Sequence, residues 1–166
     1  GSAGTWTTKS DVTYNAHNAG GGGTANDNCI VFGGSSNGSN GQNNTSVWDG
    51  SSWTAKATIN GSYRITAGDG NKDAAIRVAG EAGSNTNTTE VYDGSANSWS
   101  AGANWHTAMN GHRYCGTSTD GVGFGGENTT CQELNSGVWK SVGNMPHASY
   151  GIMGAAENAD ECISAG

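Results

Sequence analysis

Between Glu90 and Trp99 the chain reads EVYDGSANSW, a short apolar run that ends in Asp-Gly and is soon followed by tryptophan. A similar stretch, VWDGSSW, runs from Val47 to Trp53. Asp-Gly between two short strand-like runs is a strong signal for a β-hairpin. The two stretches therefore predict the same hairpin twice, and they indicate that the sequence is built from repeats.

Two independent markers give the length of the repeat. The first is a tryptophan that recurs at intervals of 47, 46 and 40 residues: Trp6, Trp53, Trp99 and Trp139. The second is a pair of small residues that recurs at intervals of 46, 46 and 40: Gly33-Gly34, Ala79-Gly80, Gly125-Gly126 and Ala165-Gly166. We therefore predict one array over residues 1–166, with repeats near 5–51, 52–97 and 98–138 and a partial repeat over 139–166.

The second repeat shows the strands of one unit. Arg64–Gly80, RITAGDGNKDAAIRVAG, predicts two strands around a polar bend from Asp69 to Asp73. A third strand ends at Asp93, and Trp99 opens the fourth. Because no segment has the helical period of 3.6 residues, the sequence predicts an all-β chain with four antiparallel strands in each unit.

The composition limits the class of protein. Leu, Ile, Val and Phe make up about a tenth of the chain, below the roughly 20% at which disorder becomes the expectation. The regular spacing of the aromatic residues and a charged fraction of only 13% favour an ordered fold instead. A net charge of −7 argues against nucleic acid as a partner, since phosphate binding needs a basic surface. Without an apolar run of 18 residues, no membrane partner is expected either.

A four-stranded unit of this length cannot bury both of its faces alone, so neighbouring units must stack. Units of this kind are the blades of a β-propeller. The order VFGG…VWDGSSW and RVAG…EVYDGSANSW resembles the kelch-type repeat. The Gly/Ser/Asn/Thr-rich loops are most similar to the degenerate kelch-like arrays of marine phage and bacterial surface proteins. This resemblance implies a central channel lined by the first strand of each blade, with Trp48, Tyr92 and the recurring tryptophans between blades.

The chain is expected to contain fifteen strands, or about 3.75 blades, since GSAGTW at Gly1–Trp6 matches GSANSW at Gly94–Trp99. Propellers remove exposed sheet edges by closing into a ring. Three interpretations follow: a part of a longer array, copies that complete one another's blades, or a tight four-bladed ring with one defective blade. We favour the first, so the expected partners are further blades of a longer chain or other propeller copies.

Four residues are predicted to lie just before the first strand of each blade: His17, Tyr63, His112 and His147. Equivalent positions in a propeller would form a ring at one end of the channel, where imidazoles could bind a metal or an anionic ligand. The alternative, which we favour, is that they are ordinary loop residues.

Asp69, Asn71 and Asp73 give the spacing D-x-N-x-D, which occurs in calcium-binding loops. No bidentate glutamate follows at the EF-hand distance, and Asp, Asn and Gly are also the residues of tight turns. The turn is the favoured interpretation. No cofactor is expected apart from calcium at this position.

Three aromatic or histidine side chains fall outside the repeat pattern and are predicted to be exposed: Tyr14, Trp105 and His106. Aromatic rings beside Asn-rich loops can stack on sugar rings. The alternative is that these loops fold back onto the face of a blade.

No motif predicts catalysis. Gly121, Gly123 and Gly126 satisfy G-x-G-x-x-G, but that motif holds phosphate only in front of a helix, and none is predicted there. There is no G-x-S-x-G nucleophile motif, so we predict that the protein is not an enzyme. The four cysteines, Cys29, Cys115, Cys131 and Cys162, either form two disulfides in one of three pairings or stay free.

These observations lead to an expected function. The resemblance and the acidic, polar loops indicate a non-catalytic structural or adhesive module of a virion appendage or an extracellular surface assembly, which binds partner proteins or glycans. The alternative is a carbohydrate-active propeller, either a lectin or an enzyme like galactose oxidase, although the copper-site residues of that enzyme cannot be matched here. The expected location is extracellular or on a virion surface.

Overall fold

A computed structural model of the protein describes Gly4, residues 7–151, and the backbone of residues 153–156 and 162–165. This part of the chain is all β, without helices, and forms three four-stranded antiparallel sheets and one two-stranded sheet. It therefore also contains no helix that could cross a membrane. Trp6, the first of the recurring tryptophans, lies outside the described residues.

The strands follow one another in chain order within each sheet. Sheet 1 contains β1 (Gly20–Ala25), β2 (Asn28–Phe32), β3 (Thr45–Trp48) and β4 (Trp53–Lys56). Sheet 2 contains β5 (Ala67–Gly70), β6 (Ala74–Glu81), β7 (Asn85–Asp93) and β8 (Ser98–Ala101). Sheet 3 contains β9 (His112–Gly116), β10 (Asp120–Gly125), β11 (Cys131–Asn135) and β12 (Val138–Ser141). Sheet 4 contains β13 (Met153–Ala156) and β14 (Cys162–Ala165).

The predicted hairpins between the third and fourth strands are confirmed. Trp48 lies opposite Trp53, and Tyr92 lies opposite Trp99. At the second hairpin, the Asp93 Oδ1 atom accepts hydrogen bonds from the backbone N–H groups of Ser95 and Ala96. These bonds and one from the Ser95 hydroxyl lower the pKa of Asp93. The aspartate of the repeated motif thus closes the turn through its own side chain.

The third repeat closes the same hairpin differently. Leu134 lies opposite Trp139, and Asn135 lies opposite Val138, so only two residues form the loop. Both loop residues have a left-handed backbone conformation, with φ 51° at Ser136 and φ 78° at Gly137. A two-residue loop of this kind matches the twist of the strands, so it needs no aspartate.

The first strands of successive sheets lie side by side. β1 packs against β5, β5 against β9, and β9 against β13. The arrangement is propeller-like. The first strands meet along one line, which we call the axis. The axis brings together residues from all four repeats, which are far apart in sequence.

Aromatic side chains fill the spaces between sheets. Trp99 of sheet 2 meets Phe32 of sheet 1 edge-on at 5.1 Å, and its Nε1–H donates to the Thr45 hydroxyl oxygen at 3.1 Å. Trp139 is buried with Tyr114 at 5.7 Å in the cluster between sheets 2 and 3. These contacts, with the burial of Trp48 and Tyr92, agree with the sheet-to-sheet core that the repeat predicts.

The recurring small-residue pair has a conformational reason. Its first member has a left-handed backbone in all three sheets, with φ 63° at Gly33, 46° at Ala79 and 85° at Gly125. A Cβ atom on the second member would lie 2.8 Å from a backbone oxygen both at Gly34 and at Gly126. Close approach of the next backbone segment therefore explains why these positions are small.

The cysteines form no disulfide among the described side chains. Cys29 and Cys131 have free thiols, and Cys131 is buried. The side chain of Cys162 is outside the described residues. Because two of the four thiols are free, the alternative of two disulfides does not hold, and free thiols are found at Cys29 and Cys131.

Candidate functional site

Two cavities lie on the axis, at opposite ends of the first strands. The first, which we call the hairpin cavity, has a volume of about 300 Å³ and lies where the first strands turn into the second. Its polar lining comes from sheets 1, 2 and 3: Thr24, Asp69, Asn71, Thr117 and Ser118. Because these turns come from three repeats, stacking of the sheets creates the cavity.

Asp69 connects the three sheets at this cavity. Its Oδ1 atom accepts the Gly70 N–H at 2.8 Å, and its Oδ2 atom accepts the Gly116 N–H of sheet 3 at 3.1 Å. On the side of sheet 1, a Cβ atom at Gly22 would lie 2.0 Å from Oδ1. Burial raises the pKa of Asp69, although both hydrogen bonds and the charge of Arg113 act in the opposite direction.

The glycine-rich strand β1 leaves the space that the Asp69 carboxylate occupies. We expect Gly22→Ala to destabilise the protein by about 1–3 kcal/mol, because the added methyl group would collide with the carboxylate and with the Gly70 backbone. Chemical denaturation of the variant measures this loss. Gly38→Ala is a poor control because its backbone is left-handed, whereas Gly143→Ala meets no atom within 4 Å and should change little.

The predicted calcium ligands each have another partner. The Asn71 Oδ1 atom accepts the N–H groups of Asp73 at 2.9 Å and Ala74 at 3.2 Å, which closes the turn between β5 and β6. The exposed Asp73 carboxylate pairs with Lys72 at 2.9 Å. In the described part of the chain, no three His, Cys, Asp or Glu side chains are grouped so that they could hold a metal ion. The contacts are those of the turn interpretation, and calcium binding by Asp69, Asn71 and Asp73 stays a prediction.

The second cavity, which we call the strand-start cavity, has a volume of about 150 Å³. It is lined by one left-handed residue from each repeat: Asn18 (φ 54°), Ile65 (φ 52°), Gly111 (φ 65°) and Gly151 (φ 67°). These four are spaced by 47, 46 and 40 residues, as the tryptophans are. His112 and Arg113, at the start of β9, also line it.

His112 is 6% exposed, and its ring meets the Trp105 ring at 5.6 Å. Its Nε2 atom lies 3.1 Å from the Val78 carbonyl oxygen, so the proton of the neutral ring is on Nε2. Burial lowers the pKa of His112 to about 4, helped by the charges of Arg77 and Arg113 and opposed by the hydrogen bond to the Val78 carbonyl. The Nδ1 atom is buried and has no hydrogen-bond partner.

The predicted ring of four residues does not form. His17 pairs with Ser35 as Arg64 pairs with Glu81, so Arg64, and not Tyr63, is the counterpart of His17. The two remaining members, His112 and His147, lie 13 and 8 residues after the tryptophan of their repeats, so they too differ in position.

Their surroundings differ as well. His17 and His147 are exposed, whereas Tyr63 is buried with its ring 3.7 Å from the Arg77 guanidinium carbon. Of the four, only His112 lines an axial cavity that the structure describes. The prediction of one ring of ligands is therefore wrong.

The predicted exposed position of Trp105 is also wrong. Trp105 is 0% exposed and packs on Trp139 with ring centroids 4.7 Å apart. A Cβ atom at Gly123 would lie 2.2 Å from the Trp105 ring, so this glycine makes room for it. Ile59 and Met145 occupy the same repeat position, 46 residues before and 40 after Trp105, and this apolar spacing is the signal that predicts a buried residue.

The other two candidates for sugar stacking do not form a surface with Trp105. Tyr14 is half-buried, its hydroxyl is enclosed without a partner, and burial raises its pKa. His106 is exposed, with Nδ1 3.4 Å from the Ser141 hydroxyl oxygen. Only His106 has the exposure that the sequence predicts.

Arg113 lines the strand-start cavity, and it was not among the site residues predicted from the sequence. The other two arginines are paired, Arg64 with Glu81 at 2.6 Å and Arg77 with Glu90 at 3.0 Å. Arg113 forms no ion pair with a described residue, and its Nε atom is buried without a hydrogen-bond partner. Since this depends on which side chains surround the guanidinium, no local pattern of residues indicates it.

Comparison with known proteins supports the fold and no more. No protein-family model and no curated protein matches the chain. It is similar to a solved structure described as "Structure of YjhT", with a TM-score of 0.69 and 14% sequence identity. The similarity covers 90% of this chain, which spans 58% of the length of that one. The chain therefore shares an all-β fold with that structure over most of its own length.

Proposed function

We propose that the four sheets are blades of a kelch-like β-propeller, about 3.75 of them in this chain, and that the propeller is a non-catalytic adhesive module. It would belong to a virion appendage or an extracellular surface assembly. Its ligands would be glycans or partner proteins. The observation that carries this proposal is the hairpin cavity, which gathers polar groups from three sheets around one half-buried carboxylate.

The polar groups of this cavity suit a neutral glycan. An ionised carboxylate has about four acceptor sites, and Asp69 uses one on each oxygen for backbone N–H groups. The remaining sites can accept hydroxyl protons from a sugar. Asn71, Thr24 and Ser118 add short polar side chains around it, and the cavity volume of about 300 Å³ suits one or two sugar rings.

The lining favours binding over catalysis. Asp69 is the one acidic side chain that lines the hairpin cavity among the described residues. Hydrolysis of a glycosidic bond uses two carboxyl groups on either side of the bond. A single carboxylate held by two backbone N–H groups is suited to orient a ligand.

Glycan binding tests the proposal. A glycan array on the full chain would identify ligands, and calorimetry would give their affinities. Asp69→Asn is expected to weaken binding by about tenfold or more, because it removes a charged acceptor. Asp73→Asn is the matched control, since Asp73 is in the same turn, exposed, and outside the lining. Absence of glycan binding, or equal affinities of Asp69→Asn and wild type, would refute the proposal.

A further inference from the structure

We propose that the strand-start cavity binds a small oxyanion that also carries a hydroxyl group, either a hydroxycarboxylate or hydrogenphosphate. Arg113 would bind the negative charge, and the Nδ1 atom of His112 would accept the hydroxyl proton. This site lies at the other end of the axis from the hairpin cavity. It shares no lining residue with the hairpin cavity, although the charge of Arg113 also acts on Asp69.

The first observation is the state of Arg113. Its Nε–H is buried and donates to no group, whereas both other arginines are bonded to carboxylates. A buried donor that is left unpaired destabilises the folded protein, and more so when the group is charged. An oxyanion satisfies a guanidinium better than a neutral acceptor does, since it can accept two parallel N–H bonds.

The second observation is the state of His112. Because Nε2 donates its proton to the Val78 carbonyl, Nδ1 carries a lone pair and can only accept. This atom is buried without a donor beside it. A bare carboxylate or sulfate offers no proton to it. A ligand that satisfies both residues must therefore combine an anionic group with a hydroxyl.

The third observation is the cavity itself. Arg113 and His112 are neighbours on β9, and both line the same space of about 150 Å³. A water molecule occupies about 30 Å³ of liquid, so this space suits a ligand of a few heavy atoms. The charges of Arg77 and Arg113 both act on His112, so the local potential is positive although the chain carries −7 overall. A positive pocket in an acidic protein favours a small anion.

Four probes at pH 7 test the inference by calorimetry on the full chain. Glycolate is compared with acetate, and phosphate is compared with sulfate, because each pair differs in the hydroxyl proton. We expect the hydroxyl-bearing member to bind about tenfold more tightly, the effect of one buried hydrogen bond. Preference in the carboxylate pair identifies a hydroxycarboxylate site, and preference in the phosphate pair identifies a hydrogenphosphate site. No preference in either pair overturns the inference.

Two variants separate the roles of the two residues. Arg113→Gln should abolish binding of every probe, whereas Lys140→Gln removes the same charge from an exposed strand and should change nothing. His112→Phe keeps an aromatic ring beside Trp105 and removes the Nδ1 acceptor, so the tenfold preference should disappear while weak anion binding remains. Unchanged binding by Arg113→Gln would overturn the inference even if His112→Phe failed to fold.

Discussion

Replacing Arg77 with methionine is expected to lower the free energy of unfolding by about 3–5 kcal/mol, because it leaves the Glu90 carboxylate buried without its counter-charge. Arg77 is 0% exposed, and its Nε atom lies 3.0 Å from Glu90 Oε1. Its other nitrogens donate to the Ala79 carbonyl at 2.7 Å and to the Thr88 hydroxyl at 2.9 Å. Every part of the guanidinium is thus bonded inside sheet 2.

Glu90 extends this network to the connection between sheets 1 and 2. Its Oε2 atom accepts the backbone N–H of Asn60 at 2.7 Å and the Asn60 side-chain amide at 2.6 Å. Removing Arg77 therefore disturbs one sheet and also the segment that leads into it. The Arg77–Glu90 pair fixes the position of the connection that contains Asn60. If Asn60 were displaced, the buried Oε2 atom of Glu90 would lose its hydrogen bonds.

Urea denaturation of Arg77→Met measures the loss, and Arg64→Met provides the control. Arg64 pairs with Glu81 at 2.6 Å in a partly exposed position, where such pairs contribute about 1 kcal/mol or less. The double variant Arg77→Met, Glu90→Leu should recover part of the loss, since it removes the buried charge as well. If Arg77→Met lowered the free energy of unfolding no more than Arg64→Met does, the prediction would be wrong.

The second large effect is a loss of stability between pH 6.5 and pH 5 that depends on His112. Its pKa in the folded protein is about 4, below the ordinary value of 6.5, because burial disfavours the charged ring. Between pH 6.5 and pH 4, His112 therefore binds a proton in the unfolded chain but stays neutral in the folded protein. Stability is complete above pH 6.5 and falls as the pH decreases toward 4, by up to about 1.4 kcal/mol per pH unit.

The carboxylates with shifted pKa values do not cause a loss of stability within this window. Asp69 has a raised pKa, so its contribution has the opposite sign and increases stability as it becomes protonated. Asp49 and Asp93 have lowered pKa values, about 2 for Asp49, so the stability that they contribute is lost only as the pH falls through the range below 4. The interval from pH 6.5 to pH 5 therefore isolates His112 best.

Denaturation at several pH values, in buffers free of phosphate and carboxylates, measures the slope. His112→Gln should flatten it, because glutamine does not titrate and keeps a donor for the Val78 carbonyl. His147→Gln removes an exposed histidine and should leave the slope unchanged. An unchanged slope in His112→Gln would show that another group causes the acid sensitivity.

The hairpins and the order of strands could be predicted from the sequence because their causes are local. At Asp93 the side chain bonds to N–H groups only two and three residues away, so a short motif contains the whole turn. The repeated tryptophan predicted stacking because a strand that buries one large ring needs a neighbouring sheet to cover it.

The sequence by itself determined an all-β chain of four-stranded repeats, whereas only the tertiary structure decided which side chains meet at the axis. Trp105 is buried because a connection folds onto Gly123, and Arg113 forms no ion pair with a described residue, although its charge acts on Asp69. The repeats differ in length by up to seven residues, so the spacing in the sequence predicted Tyr63 at the position that Arg64 occupies. The contact between Trp105 and Gly123 joins residues 18 positions apart, and the packing of whole sheets, not any local preference, selects such contacts.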